Sequence, residues 1–379
     1  MQFSFWERES YFSNIDVLIV GSGIVGLSAA LHLKTVQPNL KVLVLERGLL
    51  PTGASSKNAG FACFGSPSEL LDDLTHLSDE AVFSQVARRW KGLQRLRQNL
   101  GDAAIDFHRW GGYELFAPHQ QELYAACMNR LPYLNRQLHA ITGLPAIFQG
   151  ADHKIPDFGF RHVRHLIVST AEGQIDTGKM IVALTQKVQA LGVLVLNGLE
   201  VQEIQEAPDG ITAITEQGVP VQAKAALIAT NGFARKLLPQ LSIVPARAQV
   251  LITKPIQGLR LKGTFHYDKG YYYFRNIGNR VLFGGGRNLD FGTEQTTDFG
   301  LTEVIQHKLE ELLQTVILPE TPFEVEQRWS GIMGVGAEKT TLVQHTSPRV
   351  SCAIRLSGMG IAIGSLVGQE GAELVLQQV

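Results

Sequence analysis

The sequence predicts an α/β protein with a Rossmann-like domain and a second, α+β domain built on a mostly antiparallel sheet. Three observations carry that prediction. A buried-strand pattern, Ile15 to Val20, runs directly into the glycine turn GSGIVG and a helix. A second buried strand, Lys41 to Glu46, completes one βαβ unit of about 30 residues, the expected size. Short alternating strands then crowd residues 246–288. The chain has 379 residues, enough for two domains at roughly 100–200 residues each.

In chain order, the first helix carries the small residues Gly26, Ala29 and Ala30, which allow close packing on a sheet, and Pro38 with Asn39 ends it. After Ser68 the texture becomes amphipathic helix, as in WKGLQRLRQNL with Leu93, Leu96 and Leu100 on one face, and helix-forming sequence continues to about Gly143. Ile167 to Thr170 reads as a strand. Asp176 or Thr177 caps a helix that Gly192 closes. Val193 to Leu196, Glu200 to Gln205, Ile211 to Glu216 and Val221 to Ala229 are expected to form a meander. YYYFRNIGNRVLFGGG reads as a hairpin turning at Asn276 to Asn279, Thr302 to Thr315 as a helix, and Ile361 to Gln377 as a last helix.

Composition excludes several functions. The 34 basic and 35 acidic side chains give a formal charge of −1, so no nucleic-acid partner is expected. Cys63, Cys127 and Cys352 are widely spaced without a CxxC pair, which supports neither a disulfide framework nor a zinc site and fits a cytoplasmic protein. MQFSFWERESYF lacks the basic and then apolar stretches of a signal peptide. Ile15 to Leu33 contains Asp16, His32 and three glycines, so no transmembrane segment is expected there. His162 and His165 sit in an apparent strand that points them to opposite faces, and no metal site is expected.

The glycine spacing carries the chemistry. Gly21 permits a tight turn, Gly23 lets backbone approach a pyrophosphate, and Gly26 lets helix and strand pack closely, while the helix start offers free N–H groups. Glu46 stands 20 residues past Gly26 at a strand end, placed to bind ribose hydroxyls. FAD and NAD both present such an ADP half. The long hydroxyl-rich segment ERGLLPTGASSKNAGF (Glu46 to Phe61) fits a cofactor enclosed by loops better than a turn back into regular helix.

These residues resemble the D-amino-acid oxidase-like FAD-dependent oxidoreductases, a family of glycine oxidase, sarcosine oxidase and γ-glutamylputrescine oxidoreductase type. The resemblance runs through VLIVGSGIVGLSAALHL, VLVLERG with GASSKNAGF, AEGQIDTGKMIVALTQKVQALGV, ALIATNGF, YYYFR with VLFGGGRN, RWSGIMG and SGMGIAIGSLVG. The last of the three named types looks nearest. It implies a GR2-type FAD-binding domain from residues 12–85, 165–240 and 327–379, and a substrate domain from residues 86–164 and 241–326. It also implies that Gly21, Ser22, Gly23, Gly26, Glu46 and Arg47 hold the ADP half of a non-covalent FAD, with Val201 offering backbone to adenine. Ser55, Ser56, Lys57, Asn58, Ala59, Gly60 and Phe61 would run past the ribityl chain and flavin ring. Gly331, Ile332, Gly358, Met359, Gly360 and Ile361 would close over it, where free N–H groups at a helix start can stabilise charge on a reduced flavin.

The activity implied is oxidation of the C–N bond of an amine or amino-acid derivative, by hydride transfer to flavin N5, giving an imine that hydrolyses. The electron acceptor is oxygen or another carrier. Flavin-dependent 2-hydroxy-acid oxidation, or a flavin-binding subunit without turnover, are the alternatives. Orientation and aromatic walls matter more here than a strong base, and Tyr271, Tyr273 and Arg275 are expected to serve the substrate, with Tyr272 and Phe274 on the opposite face. Family members that use amino acids place an arginine where this chain has Met333, so a substrate carboxylate beside the reacting carbon loses its bidentate partner unless Lys57, Arg275 or Arg287 replaces it. Cys63 lies just past the flavin segment and is expected to be a small buried thiol.

Overall fold

The computed structural model describes residues 2–379, whose strands form two eight-stranded sheets and one two-stranded ribbon. The first sheet grows outward from Ile15–Val20, which pairs in parallel with Val42–Glu46 on one side and Pro220–Ile228 on the other. Leu194–Asn197 and Val350–Ile354 extend it, again in parallel. Every residue of Val42–Glu46 is buried, as a strand covered on both faces requires. The helix Ile24–Val36 packs against the C-terminal helix Gly360–Leu376. There, a Cβ on Gly368 would lie 2.6 Å from the Val25 carbonyl oxygen, so the two helices meet backbone to backbone.

The second sheet runs in the order Val325–Val335, Val244–Thr253, Arg280–Gly285, Tyr272–Ile277, Thr264–Tyr267, Gly112–Phe116, His165–Ser169, Phe148–Gly150. It is antiparallel except where Thr264–Tyr267 meets Gly112–Phe116. Alternation divides its two faces. Phe265 and Phe274 pair across strands into a core with Phe158, Phe160 and Phe283, covered by the helix Glu303–Leu312. His266 and Tyr273 pair on the other face, toward the first sheet.

Several expectations change. Helix-forming sequence does not run unbroken to Gly143: after the helix Asp79–Leu100, the strand Gly112–Phe116 intervenes before the helix Gln121–Thr142. The meander has three strands, Val201–Ala207, Gly210–Thr215 and Pro220–Ile228, because Leu194–Asn197 leaves it for the parallel edge beside Val42–Glu46. His165–Ser169 and Val325–Val335 lie in the second sheet, although the expected boundaries put the first strand wholly and the second largely with the FAD portion. Their hydrogen-bond partners, Gly112–Phe116 and Val244–Thr253, hold them there. His162 has φ +59° and precedes the strand, while His165 bonds Asp152 at 2.7 Å. Among the described residues no group of three His, Cys, Asp or Glu could hold a metal, and no helix is long and apolar enough to cross a membrane.

Candidate active site

A cavity of about 860 Å³ runs from the glycine turn to the inner face of the second sheet, within the range of cofactor and ligand sites. At its first end, Gly21 has φ +105° and donates its N–H to Leu45 O at 2.8 Å. Gly23 caps the helix Ile24–Val36 without a side chain, and the Ile24 N–H donates to Ser55 Oγ at 3.0 Å. This bare helix start, bordered by Gly21, Gly23 and Ser55 in the cavity wall, is a cradle for an anion. A Cβ on Gly23 would lie 2.9 Å from Ser55 Oγ.

Glu46 is 6% exposed and faces the same end, with Arg47 and Val201 beside it. Its Oε2 accepts from the Ser22 N–H (3.1 Å) and Ser22 Oγ (2.8 Å), and its Oε1 from the Gly48 N–H (3.0 Å). Ser22 therefore positions the carboxylate rather than lining the cavity, and Gly26 acts through packing. Arg47 stacks on Phe233, 3.6 Å from its ring centroid. If Glu46 binds the ribose as the sequence leads us to expect, Glu46→Ala should weaken cofactor retention by about 1–3 kcal/mol, since it strips those acceptors and leaves these donors unpaired. Fluorescence titration of the apoprotein with FAD measures this; an unchanged Kd would place the ribose contacts elsewhere.

The middle of the cavity is lined by Ser55, Lys57, Asn58, Ala59, Gly60 and Phe61. Their backbone is tied down at several points. Asn58 Nδ2 donates to Ala54 O (3.0 Å) and Ser55 O (2.9 Å), its Oδ1 accepts from Gly60 N (2.7 Å), and Trp329 Nε1 donates to Lys57 O (3.0 Å). Ser56 points away, its hydroxyl donating to Pro51 O at 2.6 Å. Arg275, expected to serve the substrate, does not reach the cavity. It shares the Tyr273 face as alternation requires, but it lies behind the wall, 5% exposed, and its Nη1 donates to Gly60 O (3.1 Å) and Ile175 O (2.7 Å). A buried guanidinium bound to two carbonyls fixes the Gly60 turn and is not free for a substrate.

The last wall comes from two directions. Gly331, Ile332 and Met333 arrive on the strand Val325–Val335, and Gly358, Met359, Gly360 and Ile361 at the start of the C-terminal helix, which again has no side-chain cap. Opposite them stand Tyr271, Tyr273 and His266, with Phe61 edge-on to His266 at 5.2 Å and to Tyr273 at 5.9 Å. Burial pushes the Tyr273 hydroxyl up to about 12. Cys63 also lines the cavity, and burial lifts its thiol well above the usual range, away from the thiolate that covalent attachment requires.

Glu69 and His266 are among the lining residues that the sequence did not point to. The available signal for His266 was its place opposite Tyr273, had the pairing of Thr264–Tyr267 with the tyrosine strand been recognised. Glu69 had none, because a Glu three residues after Ser66 is first a capping box.

The profile of the family described as FAD dependent oxidoreductase (DAO) matches residues 16–374. The chain is 27% identical over 246 residues to the bifunctional protein ThiO/ThiG of Synechocystis sp., a match covering 62% of this chain and 32% of that one, so it spans about a third of that relative. Its fold is similar to glycine oxidase from Geobacillus kaustophilus (TM-score 0.76, 21% identity, 97% and 95% of the two chains). It is also similar to L-proline dehydrogenase from P. horikoshii (TM-score 0.76, 17% identity, 96% and 94%). The bare helix start, the buried Glu46 and the enclosing loops fit the dinucleotide that this match calls for, and the chain belongs to the FAD dependent oxidoreductase family, with FAD as its cofactor.

Proposed function

We propose that this flavoprotein oxidises the C–N bond of a small amine or amino-acid derivative to an imine, which water then hydrolyses. One observation carries the reading: aromatic and uncharged side chains, Phe61, Tyr271, Tyr273 and Met333, line the cavity beside the segments proposed to enclose the flavin. Bound FAD supplies the hydride acceptor. The chain's own task is to orient the substrate and exclude water. Tyr273, kept protonated by burial, offers a hydroxyl that hydrogen-bonds a substrate amine. Met333 leaves the carbon beside that amine without a cationic partner, so preferred substrates carry no carboxylate there. Arg287, stacked on Phe291 at 4.7 Å, is the cation that meets a more distant carboxylate.

The proposed ADP contacts are Glu46, Arg47, Val201 and the Gly21–Gly26 turn, and the proposed flavin contacts are Ser55 to Phe61 without Ser56, with the Gly331 and Gly358 segments. The proposed division keeps the expected discontinuous plan with its breaks moved to about residues 170 and 336, beyond the strands held in the second sheet. The three cysteines are buried and free, which supports a reducing, cytoplasmic setting.

Anaerobic mixing of the yellow holoenzyme with uncharged amines, glycine, sarcosine and 2-hydroxy acids tests the reading. Uncharged amines are expected to bleach the flavin, with carbonyl product and released amine or ammonia in equal amounts. Bleaching by hydroxy acids alone would overturn it. Admitting air then assigns the acceptor: reoxidation with peroxide release identifies oxygen.

A further inference from the structure

The cavity has an end whose chemistry C–N oxidation does not require. Glu69, on the helix Pro67–His76, and His266, on the strand Thr264–Tyr267, both line it. Glu69 is held in place because its Oε2 accepts the Ser66 N–H at 2.9 Å. Its Oε1 lies 3.3 Å from where a Cβ on Gly270 would stand, at the cavity wall. His266 is 9% exposed, and its Nε2 is buried with no hydrogen-bond partner among the described residues. A buried ring nitrogen left unpaired is costly, so a polar group missing from the protein is the natural partner.

Carboxyl groups crowd this end. Glu114 and Glu172 lie buried behind Glu69, whose negative charge helps to raise both, while Cys63 stays a neutral thiol. The nearby cation, Arg89, is occupied with Phe64 O at 3.0 Å. Burial holds the His266 ring neutral, against the pull of Glu69, which leaves it one nitrogen to accept an N–H.

The reacting amine is not the group this end suits. A C–N bond gives up hydride only when the nitrogen lone pair is free to form the new C=N bond, and a carboxylate beside that nitrogen would favour its protonated form. The end fits a cation that stays charged throughout. Resting on the C–N reading above, we propose that Glu69 and His266 form a subsite for a second, non-reacting ammonium group, so that the preferred substrates are diamines or amines carrying a distal ammonium.

The test compares straight-chain α,ω-diamines of increasing length with length-matched alkylamines on the holoenzyme. The best diamine should exceed its matched monoamine in kcat/KM by roughly tenfold or more. Glu69→Gln retains an acceptor for the Ser66 N–H but removes the charge, and should bring that ratio to within about threefold of unity, chiefly through the diamine KM. In the wild-type protein tert-butylammonium, which has N–H groups for His266 and no hydrogen on the carbon beside nitrogen to give up as hydride, should compete more strongly with the diamine than with its matched monoamine. The competition is read without any variant, so it decides the matter even where Glu69→Gln fails to fold. Equal kcat/KM for diamines and monoamines in the wild type, with equal competition by tert-butylammonium against both, would overturn the subsite and leave C–N oxidation standing. Failure of every amine to bleach the flavin would overturn both.

Discussion

Gly26→Ala should yield protein that retains little FAD and unfolds at a clearly lower temperature. A methyl group there would lie 2.0 Å from the Gly21 carbonyl oxygen and 3.2 Å from both Gly21 C and Ile19 Cγ2. The first contact is with backbone, and the turn has nowhere to retreat. The Gly21 N–H is bound to Leu45 O at 2.8 Å, and the Ala229 carbonyl oxygen stands 3.0 Å from the Cβ position on the turn's other side. Nor can the helix Ile24–Val36 move outward, because its far face meets the C-terminal helix at Gly368. Alanine's better helix propensity is worth about 1 kcal/mol, while overpacking against fixed backbone costs about 3 kcal/mol or more. The clash wins, and it falls on the turn proposed to approach the pyrophosphate. The flavin-to-protein absorbance ratio after gel filtration and the thermal midpoint are the measurements; full FAD content with an unchanged midpoint would show that the unit has slack elsewhere.

That turn was also the most legible part of the molecule, for a physical reason. Strand, glycines, helix and terminal acid lie within 32 residues, Ile15 to Glu46, so their order and spacing are visible without the distant partners, Pro220–Ile228 and the C-terminal helix, that pack around them. Other features depend on partners far along the chain. Leu194–Asn197 looks like the first strand of a meander until Val42–Glu46 offers it a parallel edge. Gly112–Phe116 was masked by its helical neighbours and by Glu114, a charged residue type that rarely sits fully inside and is here bonded to the Ser68 N–H at 3.1 Å. Arg275 was placed on the correct face of its strand, but alternation gives a direction and not a depth. Its carbonyl partners, Gly60 and Ile175, come from segments 215 and 100 residues away. The cofactor half of the cavity is mostly local sequence, and the substrate half is made by non-local pairing, so more of the first could be read.

Glu172→Gln is expected to flatten the pH dependence of stability and to make the protein more stable than wild type in alkaline solution. Glu172 is 2% exposed, with one oxygen accepting the Phe64 N–H at 3.0 Å. Burial raises its pKa from 4.5 to about 8; backbone N–H groups of Phe64 and Gly65 oppose the shift, and the charges of Glu69 and Glu114 reinforce it. Proton counting fixes the sign. Between the unfolded value and about 8 the folded protein holds a proton that the unfolded chain has released, so stability falls as pH rises through that window and levels off above it. At 1.36 kcal/mol per unit, a shift of this size corresponds to about 3–5 kcal/mol lost between pH 5 and pH 9. The neutral amide has no proton to lose, so its curve should lie close to wild type near pH 5 and above it at pH 9. The slope left in the variant belongs largely to Glu114, raised to about 7 by its own burial. Urea midpoints of both proteins from pH 5 to pH 9 decide it, because parallel curves would mean that Glu172 ionises in the folded state as easily as in the unfolded chain. Stability and recognition then share one origin: the buried carboxyls that make the protein sensitive to alkali stand behind Glu69, where each one that ionises deepens the negative potential offered to a cation.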